Sequence, residues 1–99
     1  MSTIALWQKN PLLAWREIDG ETVIISPADN VMHELNETGS FIWRQVDGRC
    51  SAAEIAVLLA ANYEVPLEDA LADTEAILQQ LFSRQLLVAS VAPARGVTL

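Results

Sequence analysis

The sequence predicts an α+β domain in which a three-stranded antiparallel β-meander precedes three α-helices. Three observations point there. The first third holds short β-rich runs separated by turn residues, Ser51-Ala52-Ala53-Glu54 has the pattern of a helix-opening capping box, and residues 67–84 carry a helical apolar stripe. A chain of 99 residues, 52% of them hydrophobic, is one domain by size and long enough to form a core without covalent staples. Cys50 is its single cysteine, so a disulfide within one chain is excluded.

Residues 12–18 form the first expected strand, bounded by Asn10-Pro11 and by Asp19-Gly20, and residues 22–26 form the second. Asp-Gly between two such runs is a hairpin signal, because both residues tolerate the positive φ of a tight primed turn. Pro27, Asp29 and Asn30 mark a second turn, after which Val31, Met32, His33, Glu34 and Leu35 continue the meander. Asn36 is placed to cap a short helix carrying Phe41, Ile42, Trp43 and Val46, which Asp47-Gly48 ends. A second helix of about ten residues starts at Ala52 with Ile55, Ala56, Leu58 and Leu59 on its apolar face and gives out before Pro66. In the third, from Leu67 to about Arg84, residues Leu67, Ala70, Leu71, Thr74, Ile77, Leu78, Leu81 and Phe82 fall within an arc of roughly 140°. Residues 86–90 read as a final strand or wing. Residues 1–11 are an N-terminal segment whose order the sequence leaves open, 12–90 the domain, and 91–99 a disordered tail.

Thirteen acidic against six basic residues give a net charge of −7, which disfavours nucleic acid and anionic membrane and favours a basic or polar polypeptide as partner. The N-terminus lacks a charged, apolar and small-residue succession of the secretory kind, and with the lone thiol this makes the cytoplasm the expected compartment. His33 and Cys50 are the only residues of their kinds, so no His-Cys metal spacing exists, no cofactor is implied, and the chain reads as no enzyme. Glu64, Glu68, Asp69, Asp73 and Glu75 form an acidic run that the dipole of a helix N-terminus explains. Asp69, Asp73, Gln80 and Arg84 share one flank of the apolar arc and Glu68, Glu75 and Gln79 the other; either flank can border a groove. Trp7, Trp15 and Trp43, with the apolar residues 4–7, either complete the core or cover a sheet edge or a homodimer interface. Residues 3–7 are also candidates to occupy a peptide groove.

The order of elements, with Arg16, Pro27, Leu35-Asn36, Asp47-Gly48, Ser51 to Ile55, Tyr63 and the closing Leu78, Leu81 and Leu87, resembles the PqqD family, small peptide-binding proteins of coenzyme PQQ biosynthesis and related pathways. The resemblance spans about residues 12–88. It implies a winged helix-turn-helix-like fold that captures the leader of a ribosomally made precursor peptide and presents it to a modifying enzyme of the radical SAM type. The leader would add as a strand beside Val31, Met32, His33, Glu34 and Leu35, in a groove that Asp69, Asp73, Ile77 and Gln80 of the last helix would wall. Ala28-Asp29 follows Pro27 where the PQQ pathway's own members have a glutamate, which leaves the pathway open. The alternatives are a winged-helix DNA-binding regulator, for which the last helix has too few Lys and Arg, and a structural subunit of a biosynthetic complex.

Overall fold

The structure is a computed structural model that describes residues 3–26 and 29–93. Asp19 and Gly20 both take positive φ, 52° and 82°, which closes strands β2 (Ala14–Ile18) and β3 (Glu21–Ser26) into a hairpin of primed-turn type. β4 (Val31–Leu35) returns antiparallel to β3, so the sheet order is β2-β3-β4 and β4 is an edge. The turn before β4 is held by the Asp29 carboxylate accepting from the Val31 N–H at 3.2 Å and by Asn30 at φ 59°. Pro27 and Ala28, expected in this turn, lie outside the described residues. The first strand is shorter than expected, because Leu13 N–H bonds back to the Asn10 carbonyl at 3.2 Å instead of entering the ladder.

Helix α1 (Glu37–Gln45) opens on Asn36, whose Oδ1 accepts from the Gly39 N–H at 2.8 Å. The expected Gly48 cap falls outside the helix: α1 stops with Val46 extended, and the left-handed Gly48, φ 84°, donates to the Trp7 carbonyl at 2.8 Å. Helix α2 (Ala52–Tyr63) has the full Ser51–Glu54 capping box and ends on Glu64 in the left-handed region. Ile55, Ala56 and Leu59 are buried against the core, but Leu58, expected beside them, is 45% exposed because it stands at the margin of that face. Helix α3 (Leu67–Ser83) buries Ala70, Thr74, Leu78 and Leu81. None of the helices among the described residues is long and apolar enough to cross a membrane.

The expected final strand at residues 86–90 is present and runs three residues further, whereas the strand at the N-terminus was not expected. Thr3–Lys9 is strand β1, paired antiparallel with strand β5 (Leu87–Pro93) from Thr3↔Pro93 to Lys9↔Leu87. The tail therefore does not begin at residue 91, since 91–93 belong to this ladder; 94–99 lie outside the described residues. Residues 3–7 consequently occupy a ladder of their own and not a groove. Pairing satisfies the backbone of both segments, and it seats Trp7 in the core with its ring edge-to-face on Phe82, centroids 5.6 Å apart.

The core lies between the inner face of the β2-β3-β4 sheet and the three helices, with Ile24, Ile42, Trp43, Ile55, Leu78, Leu81 and Leu86 fully or almost fully buried. Trp15 stands edge-to-face on Trp43 at 5.8 Å, and Lys9 Nζ reaches over both rings to donate to the Val46 carbonyl at 2.7 Å. The result is the expected winged helix-turn-helix-like α+β arrangement with a second, two-stranded sheet added.

Candidate peptide-binding groove

β4 is one strand wide of an unfinished sheet, so its outer edge carries backbone N–H and C=O groups that β3 does not use. Along β4 the side chains alternate: Val31, His33 and Leu35 share the parity of buried Thr22 and Ile24, whereas Met32 and Glu34 share that of exposed Ile25. Leu35 is buried, His33 half-buried and Val31 exposed, so burial deepens toward the end of the strand where α1 begins.

Across from that end runs the flank of α3 that carries Asp73, Ile77, Gln80 and Arg84, spaced four, three and four residues and therefore in line. Glu34, Leu35, Asn36, Gly39, Ile77, Gln80, Leu81 and Arg84 line one pocket of about 150 Å³ between β4 and α3. No Cα of β4 comes within 8 Å of one in α3, so the two walls do not close on each other. A second pocket of about 300 Å³, lined by Thr38, Leu59, Tyr63, Val65 and Asp73, sits next along α3. The neighbouring residues Thr38 and Gly39 on one side, and Asp73 and Ile77 one turn apart on the other, set the two end to end.

The structure thus brings Glu34, Leu35, Ile77 and Gln80 together and puts Asp73 in the adjoining pocket, while Asp69, exposed in the first turn of α3, lines neither. Val31, Met32 and His33 extend the edge beyond the pocket. The opposite flank, with Glu75 and Gln79, faces a separate cavity of about 410 Å³ beside Ala5, Trp7 and the start of α2. The groove is acidic at Asp73 and carries Glu34 and Arg84 in the other pocket, with Leu35, Ile77 and Leu81 as its apolar floor.

Two residues shape the groove without having stood out in the sequence. Buried Ser40 accepts from the Thr22 N–H at 2.8 Å and donates to the Leu35 carbonyl at 3.2 Å, tying β3, the end of β4 and α1 together. Its only sequence signal is a small hydroxyl in the first turn of a helix. Gly39 leaves the pocket floor bare: a Cβ there would meet Asn36 Oδ1 at 3.3 Å and Leu35 Cβ at 3.4 Å. The remaining sequence candidates stand apart from any such cleft: Cys50 packs against the core beside β1, and among the described residues no three His, Cys, Asp or Glu side chains converge as a metal site would need.

Comparison with solved structures finds the same fold in TbiB1 in complex with the TbiA(beta) leader peptide, with a TM-score of 0.74, 22% identity and coverage of 93% of this chain and 99% of that one. A lasso peptide synthetase B1 complexed with the leader peptide matches with a TM-score of 0.74 and 23% identity, over 83% of this chain and 96% of that one. Among curated protein sequences nothing matches. The family model of coenzyme PQQ synthesis protein D (PqqD) matches residues 21–87, which include β3, β4, α1, α2, α3 and both walls of the groove but not β2; this chain belongs to the PqqD family.

Proposed function

We propose that this chain is a non-catalytic recognition module that holds the leader of a ribosomally made precursor peptide as a fourth strand on β4, against the α3 flank of Asp73, Ile77 and Gln80. The observation that carries the reading is an unpaired strand edge facing an open, apolar-floored cleft. An added strand lies about 4.8 Å from its neighbour, gains backbone hydrogen bonds worth roughly 0.5–1.5 kcal/mol net each, and sends alternate side chains into the pockets. Family membership supports it, as do the leader peptides bound by both structural neighbours. The contacts assigned to the peptide are the edge of Val31, Met32, His33, Glu34 and Leu35 and the side chains of Asp73, Ile77 and Gln80, with Asp69 at the outer rim. The module would present the peptide to a modifying enzyme, of the radical SAM type by the family resemblance, in the cytoplasm where ribosomal precursors arise.

In an antiparallel strand neighbouring residues point their N–H groups to opposite sides, so one of Met32 and His33 donates toward β3 and the other toward the empty edge. Proline at the outward position removes a donor to the peptide and leaves the β3 ladder intact. A ¹⁵N correlation-spectrum titration with leader peptides encoded beside this gene should shift Val31 to Leu35 and the Asp73 to Arg84 flank. Of Met32→Pro and His33→Pro, the one that stays folded should lose at least about tenfold in affinity, or roughly 1.4 kcal/mol. Unchanged affinity in that folded variant would rule out strand addition at β4.

A further inference from the structure

We propose that the outer face of the β2-β3-β4 sheet binds a second copy of this chain, about a two-fold axis running parallel to β3 over Val23. This surface uses the face of the sheet, whereas the groove uses its edge; the two meet at Met32 and Glu34 of β4.

An antiparallel sheet that packs one face on a core ordinarily shows polar side chains on the other. Here the outward residues form rows across the three strands that register fixes as Ala14–Ile25–Met32, then Arg16–Val23–Glu34, then Ile18–Glu21. Ile18 is 52%, Ile25 43% and Met32 59% exposed, and Ala14, Arg16, Ile18, Val23 and Ile25 line a shallow hollow of about 330 Å³ with Trp15 at its border. Arg16 and Glu34 sit on either side of Val23 and form no ion pair with each other or with any described residue. Two strand spacings, about 9.6 Å, separate their backbones.

A two-fold along β3 carries each of these cross-strand rows onto itself with β2 and β4 exchanged. Arg16 of one copy then stands over Glu34 of the other, and Glu34 over Arg16, while Val23 meets Val23 and Ile25 meets Ile25. The small Ala14 meets the long Met32, so bulk is matched as well as charge. The alternative axis, perpendicular to the strands, would set Arg16 on Arg16 and Glu34 on Glu34. Self-complementarity about one axis and repulsion about the other is what an isologous interface requires, and it singles out a second copy as the occupant. Two sheets stacked face to face lie about 10 Å apart with strands within about 30° of each other. The face spans roughly 14 by 17 Å, about 240 Å² per copy, so the buried area falls well below the roughly 1,200 Å² in total of stable interfaces, and the dimer is weak and reversible. Glu21, at the rim, meets its own copy and weakens it further.

Sedimentation equilibrium of the full chain from about 10 μM to about 1 mM, the range that brackets a weak dimer, tests this. The mass should rise from 10.8 kDa toward twice that value. Arg16→Glu alone and Glu34→Arg alone should each weaken association by about tenfold or more. The double exchange Arg16→Glu with Glu34→Arg should restore it, and Glu21→Gln should tighten it. All these side chains are exposed, so circular dichroism should report an unchanged fold. A chain that stays monomeric at 1 mM, or a dimer that the single exchanges leave unchanged or the double exchange leaves broken, would overturn the proposal. So would a monomer whose sheet face becomes protected only when a different protein is added.

Discussion

At the scale of single residues, two buried polar contacts hold the groove and the core in register. Ser40 satisfies the Thr22 N–H and engages the Leu35 carbonyl inside the protein, where water cannot substitute. Ser40→Ala leaves that donor buried and unpaired, so unfolding in urea should show a loss of about 1–3 kcal/mol, with little change in m-value. Lys9 is a different case. Partial burial against Trp15 and Trp43 pushes its ammonium pKa below the ordinary lysine value, and the charge of Asp47 offsets part of that. The unfolded chain therefore holds this proton more tightly than the native one. Between the lowered native value and the ordinary one, unfolding takes up a proton and stability rises with pH; below that window the burial penalty is fully present. Comparing wild type with Lys9→Met in urea should show the difference shifting in favour of wild type as pH climbs through the window. A difference independent of pH would mean the ammonium is solvated in the native state.

At the scale of elements, β1 and β5 do what neither can do alone. Each strand of a two-stranded ribbon is marginal in water. Here the ribbon is fixed by Asn10, whose N–H and Nδ2 bond to the Leu86 carbonyl at 3.1 Å and the Gln85 carbonyl at 2.9 Å, and by Gly48 bonding to Trp7. Removing residues 1–10 takes away one strand, the Lys9 bridge and a buried tryptophan. Trp→Ala changes in cores cost about 3–5 kcal/mol, a large share of the 5–15 kcal/mol that holds a domain together. The truncated chain should lose its cooperative thermal transition, or show a Tm lower by more than 15 °C, when followed by far-UV circular dichroism. A truncated chain with a near-native transition would show that the ribbon is an appendage.

At the scale of the whole molecule, the architecture follows from local signals where those signals are strong, and from long-range pairing where they are weak. Asp19-Gly20, Asn36, the Ser51–Glu54 box and the stripe of α3 each dictate a conformation through their own backbone chemistry, so the meander and the three helices are legible residue by residue. The groove was half legible. Periodicity puts Asp73, Ile77, Gln80 and Arg84 on one line of α3, but two flanks of a helix are equivalent until something packs against one of them. The packing of α1 and the end of β4 chose that line, left Asp69 outside, and gave the Glu75 and Gln79 flank to β1 and α2. The N-terminal strand was illegible for the same reason: residues 3–9 become a strand because residues 87–93, distant in sequence, satisfy their backbone. The outward apolar row of Ile18, Val23, Ile25 and Met32 shows the converse. Alternation along each strand is written in the sequence, but which parity faces the core is decided only when α1 covers Thr22 and Ile24. By itself the sequence determined the meander, the three helices, their order and the Asn36 and Ser51 caps, because those depend on neighbours within a few residues. Which strand became an edge, which helix flank faces it and how the chain ends meet were decided by tertiary structure, because burial and backbone pairing join residues that no local pattern connects.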